Sequence, residues 1–210
     1  MNLRATVPPI ARTYGQSLID RTGLGIALQW HLMHSTYNEI RYLSQMTAIE
    51  HLIEAFRKQH KPATTYLEKR DFRNTVRPAL ERALLDALAT LELDEQAKAG
   101  IAESMLANLG NINRRTLRSN LRTMLDTYGV PLDGLGTEVD QLISIRNDIV
   151  HRGMAGTPGD DLRLADHLAA AQELFRRIFL SLVGYTGTYT SYLGSIHDRG
   201  LQGPVKTGTP

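Results

Sequence analysis

Apolar residues recur at three- and four-residue spacing along most of the chain, and the gaps between these stripes are short and rich in glycine, proline and capping residues. That periodicity predicts helices and leaves almost no stretch that fits a strand. The strongest stripe, Tyr42, Met46, Ile49, Ile53 and Phe56, predicts a helix from about Tyr37 to Gln59, ended by Lys61-Pro62. A shorter helix is expected before it, over Leu24 to His34. After a polar loop, Pro78 suits a first helical turn, and Leu80, Leu84, Leu85, Leu88 and Leu91 carry a helix to about Glu92. Asp94 reads as the N-cap of the next helix, with Gly110-Asn111 expected to break it after Leu109. Another helix is predicted over Arg114 to Tyr128, followed by a turn from Gly129 to Gly134. Thr137 and Asp140 have the spacing of a capping box, opening a helix that Gly153 closes. A last long helix is expected from about Asp160 to Val183, burying Leu164, Leu168, Phe175, Ile178, Phe179 and Leu182.

The expected fold class is therefore all-α. Residues 1–23 form an arm or short helix, 24–183 one helical domain, and 184–210 a tail with six glycines and repeated threonine and tyrosine, expected to be flexible. The 210 residues suffice for one substantial core. There is no cysteine, which excludes disulfides, thiolate metal sites and a thiol nucleophile. No apolar run approaches a membrane span, and the N-terminus lacks the apolar core of a signal peptide, so a soluble cytoplasmic protein without membrane contact is expected.

Net charge is only +2, but its distribution is uneven. Eight cations lie between Arg57 and Arg82 against the acids Glu68, Asp71 and Glu81. Arg114, Arg115, Arg118 and Arg122 stand in a stretch free of acids, whereas Asp86 to Glu103 carries five acids and one lysine. One face of such a molecule would meet phosphates while another repels them. Solvated helix faces would give the same pattern.

Chemistry concentrates between Val139 and Gly153. On a wheel of about 100° per residue, Val139, Leu142, Ile143, Ile149 and Val150 form an apolar stripe with Arg146 in its middle. An arginine there needs a carboxylate, a phosphate or a subunit interface. Asp140, Ser144, Asn147, Asp148 and His151 lie on the polar side. The run Arg146-Asn147-Asp148-Ile149-Val150-His151 resembles the Arg-x4-His motif of the HEPN superfamily. Arg41 to Ile53, with Glu50 after small and apolar residues, is similar to the early helix of its Apea-like subgroup, and the basic helix upstream of the motif also matches that subgroup's order. The similarity covers about Leu24 to Val183.

The resemblance implies an up-and-down helical bundle with additional helices. It also implies metal-independent endoribonuclease activity, without a cofactor, in which the ribose 2′-hydroxyl is the nucleophile. His151 would transfer protons and Arg146 would neutralise the scissile phosphate. Glu50 either takes part in catalysis or only orients Arg146 by an ion pair; Asn147 contacts RNA or bonds locally. Arg114, Arg115, Arg118 and Arg122 would bind RNA. Side chains five residues apart on one helix diverge by about 140°, so a distorted last turn or a homodimer with facing motif helices is needed, and the family implies the dimer. Its biological setting is antiphage abortive infection, commonly with a sensor domain or partner protein. The alternative is a non-catalytic HEPN dimerisation or interaction module. His31 and His34, three apart, have no further ligands at matching spacing, and no metal site is expected.

Overall fold

The computed structural model describes residues 15–154, 161–191, 193 and 197–201. The arm expected before Gly15 and the end of the tail after Leu201 lie outside the described residues. The fold is all-α, with one two-stranded hairpin among the described residues. Within the span 24–183, the chain forms two compact units: one from the residues up to Lys61 together with those from Leu117 onward, the other from Pro62 to Thr116.

The first unit is built on α3 (Asn38–His60), preceded by α1 (Gly15–Thr22) and α2 (Leu24–His31). The α3 stripe is buried as its periodicity predicts: Tyr42, Met46, Ile49, Ile53 and Phe56 all lie in the core. Truncating one such side chain to alanine costs about 2–5 kcal/mol, since the cavity adds to the lost transfer energy. Gly23 joins α1 to α2 at φ 67°, and a Cβ there would sit 3.0 Å from Ala55 and from the His51 ring, so only glycine fits. Against α3 pack α7 (Leu117–Tyr128), α8 (Val139–Arg152) and α9 (Asp161–Leu182). The Tyr42 hydroxyl donates to the Leu142 carbonyl at 2.7 Å, fixing α8 along α3.

The segment between α7 and α8 is held from beneath by Arg177, whose side chain is 1% exposed. Its Nη1 donates to the carbonyls of Pro131 (2.8 Å) and Asp133 (2.9 Å), and its Nε to Glu173 and Tyr189. Tyr189 lies on β1 (Gly187–Ser191), which pairs antiparallel with β2 (His197–Leu201). The tail expected to be flexible thus begins with an ordered hairpin whose tyrosine donates to the buried Glu173 at 2.7 Å. The capping box does not form. Glu138 is the N-cap, with no side-chain cap bond; Thr137 donates instead to Gln141, and Asp140 is drawn to Arg118 and Arg122.

In the second unit, a short helix α4 (Lys69–Asp71) runs through a π-type turn (Phe72–Val76) into α5 (Arg77–Ala89). The helix therefore begins earlier than the loop expected up to Pro78. Pro78 has no N–H to donate and its ring crowds the carbonyl one turn back. The wider turn, with Arg77 N bonded five residues back to Phe72 O, accommodates it. Asp94 caps α6 (Glu95–Ile112), accepting from Ala97 N at 2.7 Å. Gly110 does not end α6, because an exposed helical glycine costs only about 1 kcal/mol. Asn113 closes the base of the unit through paired bonds to the Leu67 backbone.

Candidate active site on helix α8

Helix α8 presents Arg146 toward α3, where Glu50 meets it in a two-point ion pair: Nε donates to Oε1 at 2.8 Å and Nη2 to Oε2 at 3.3 Å. Both side chains are somewhat under one-third exposed, so the pair sits at the rim of the core. The physical demand read from the sequence, a carboxylate for an arginine in an apolar stripe, is met by the expected residue. Asn147 turns its Oδ1 to Arg146 Nη1 at 3.2 Å. Of the five N–H donors of the guanidinium, these contacts use three. One remains on each Nη, a pair suited to two oxygens of a phosphate.

His151 lies on the last turn of α8 and is exposed. The helix ends regularly: Gly153, at φ 78°, donates to Ile149 O at 2.8 Å, the left-handed glycine cap expected from the sequence. Val150 is a correction to the apolar stripe. It is 49% exposed, because the C-terminal turn of α8 runs past the buried set Val139, Leu142, Ile143 and Ile149, and the next residues continue the apolar spot with Met154 at 42%. On the wheel, Val150 lies between Arg146 and His151.

Asp140, Ser144, Asn147 and His151 form one polar stripe along α8. At its beginning Asp140 receives two arginines of α7, Arg118 at 3.2 Å, without hydrogen-bond alignment, and Arg122 at 2.9 Å. Both guanidinium-bearing side chains remain at least half exposed. Two of the four arginines expected to bind RNA are thus joined to the α8 stripe. Because α7 starts at Leu117, Arg114 and Arg115 are not on that helix and belong to the second unit. There the Arg114 backbone bridges Thr65, and Arg115 lies over the Tyr66 ring at 5.6 Å. The helix expected from Arg114 therefore begins only at Leu117.

Other histidines serve packing. His31 stacks on Phe175 with ring centroids 4.2 Å apart and bonds Gln45, and burial lowers its pKa. His60 stacks on Phe56 and meets Tyr128. Among the described residues, no group of three histidine, aspartate or glutamate side chains could hold a metal ion, and no helix is long and apolar enough to cross a membrane. What sequence reasoning missed is the buried pair Glu173 and Arg177 with the half-buried Tyr189, which holds the segment leading into α8. No protein-family model, curated protein or solved structure matches the chain.

Proposed function

We propose that the chain is a metal-independent endoribonuclease of HEPN type, with Arg146 and His151 as the reacting pair and Glu50 and Asn147 as the groups that aim Arg146. The observation that carries this reading is the two-point Glu50–Arg146 ion pair. It holds the guanidinium in place while leaving two N–H donors for an anion such as a phosphate.

In this mechanism the ribose 2′-hydroxyl attacks the adjacent phosphorus, its proton passing to a neutral His151 imidazole. The bond to the 5′-oxygen breaks, an imidazolium protonates the leaving oxygen, and a 2′,3′-cyclic phosphate remains. Arg146 stabilises the charge that builds on the non-bridging oxygens. The regular last turn of α8 supports assembly of the cleft from two copies, since side chains about 140° apart on one straight helix do not meet at one phosphate. Val150 and Met154, exposed between and beside the pair, suit burial at such an interface. Arg118 and Arg122 of α7, which meet Asp140 at the start of α8, add exposed cationic side chains beside that helix. Antiphage abortive infection is the setting that the family resemblance implies.

A second reading, a non-catalytic HEPN interaction module, is favoured by Glu50 already neutralising Arg146. The test is cleavage of end-labelled RNA in excess EDTA by wild type, Arg146→Ala and His151→Ala, each checked for folding by circular dichroism. Cleavage by wild type alone, leaving cyclic phosphate ends, supports the nuclease. An inert wild type, or folded variants that cut equally well, removes it in favour of the module.

A further inference from the structure

The second unit is a helical hairpin that does not cover its own apolar residues. Its large side chains Phe72, Leu88 and Leu109 are buried, but Leu85, Leu91, Leu93, Ile101, Met105 and Ile112 are 37–58% exposed. On α6, Ile101, Met105 and Ile112 fall within about 40° of one another, forming a stripe along one face. Between the helices a cleft of about 390 Å³ is lined by Leu85, Leu88, Ala89, Lys98, Ala99 and Ala102. Three alanines in this lining, which also includes Glu95, leave room for another helix to approach. Two antiparallel helices alone bury one face each, and a four-helix arrangement is the standard way to cover the rest.

Charge says which partner fits. The half of the hairpin near its turn, 85–104, carries Asp86, Glu92, Asp94, Glu95 and Glu103 against Lys98, net −4. The other half, 62–84 with 105–116, carries seven cations (Lys69, Arg70, Arg73, Arg77, Arg82, Arg114 and Arg115) against Glu68, Asp71 and Glu81, net +4. Such a rod is self-complementary when two copies lie antiparallel about a two-fold axis, each acidic tip against the other's basic base, and self-repelling when parallel. We infer that the Pro62–Thr116 hairpin is a self-association element, which pairs antiparallel with the hairpin of a second copy of this chain. The inference is independent of the catalytic reading of α8.

Sedimentation equilibrium of the full chain tests it, with circular dichroism to verify folding. Val150→Glu is used as the background, so that contacts through the end of α8 are removed. The expected result is that this chain still associates, more weakly as salt is raised, and that adding Ile101→Glu and Met105→Glu weakens association at least tenfold. Reversing the tip (Asp86→Lys, Glu92→Lys, Glu103→Lys) or the base (Lys69→Glu, Arg73→Glu, Arg82→Glu) weakens it too. Both reversals in one chain restore it, as antiparallel pairing requires. A monomeric Val150→Glu chain, association indifferent to the Ile101 and Met105 changes, or no restoration in the doubly reversed chain would overturn the inference.

Discussion

Glu50 and Arg146, ninety-six residues apart in the chain, share two nitrogen–oxygen contacts of 2.8 and 3.3 Å that tie α3 to the motif helix. The pair is solvent-accessible, so its contribution to stability is at most about 1 kcal/mol. Its larger effect is on where the guanidinium points. Glu50→Ala is expected to lower RNA cleavage about 10–100-fold with little loss of melting temperature, and Glu50→Gln to retain more activity because one contact survives. In a double-mutant cycle with Arg146→Ala, the two losses should not add. Additive losses in cleavage rate would mean that Glu50 acts independently of Arg146.

Arg177 behaves differently because it is enclosed. Removing it in Arg177→Met leaves the buried Glu173 with Arg176 and Tyr189 but one cation short, and frees the 131–133 backbone, at a cost of up to about 3–5 kcal/mol. Urea unfolding should show this as a large fall in midpoint. The double change Glu173→Met with Arg177→Met should recover part of it, since the under-compensated buried carboxylate is then gone.

Acid should destabilise the fold in two stages. Burial pushes the Glu173 carboxyl up, yet the hydrogen bonds from Tyr189 and Arg177 and the charges of Arg176 and Arg177 together hold it below its ordinary value of 4.5. Burial, opposed by the Gln45 hydrogen bond and aided by Arg176, holds the His31 imidazole below 6.5. Both groups bind protons more readily unfolded than folded, so stability present above those ordinary values is lost as pH falls. Melting temperature should decline first below about pH 6.5 and again below about pH 4.5. His31→Gln should flatten the first decline and Glu173→Gln the second.

Arg118 and Arg122 share Asp140, and their balance is adjustable. Arg118→Ala with Arg122→Ala should weaken RNA binding and reduce the salt slope by roughly 1–2 phosphate contacts. Asp140→Asn leaves both cations without a counter-charge and should strengthen binding. Fluorescence anisotropy across a salt series distinguishes these outcomes. An Asp140→Asn chain that binds no more tightly would assign the trio to helix packing alone.

Local rules made much of this legible. The α3 stripe, the Asp94 cap and the Gly153 stop depend on residues within a turn or two of each other, and Arg146 announced its need for a carboxylate by sitting among apolar neighbours. Features set by distant partners were not readable. Asp140 has the spacing of a cap residue but is captured by α7. Glu173 and Arg177 have the spacing of an ordinary exposed helix pair, and only the Pro131–Asp133 backbone and Tyr189 make them interior. The hairpin in the Gly/Thr/Tyr segment is likewise secured by Tyr189 reaching α9, a contact absent from any local pattern.

The division of the first unit around residues 62–116 also sets an order of events at the ribosome. The apolar face of α3 leaves the exit tunnel well before α7, α8 and α9, which cover it, have been made. The 62–116 hairpin, whose contacts are local, is fully synthesised first, while at about 5–20 residues per second α3 waits on the order of ten seconds for its partners. During that interval the nascent chain exposes the stripe from Tyr42 to Phe56, which makes α3 the natural client segment for a chaperone.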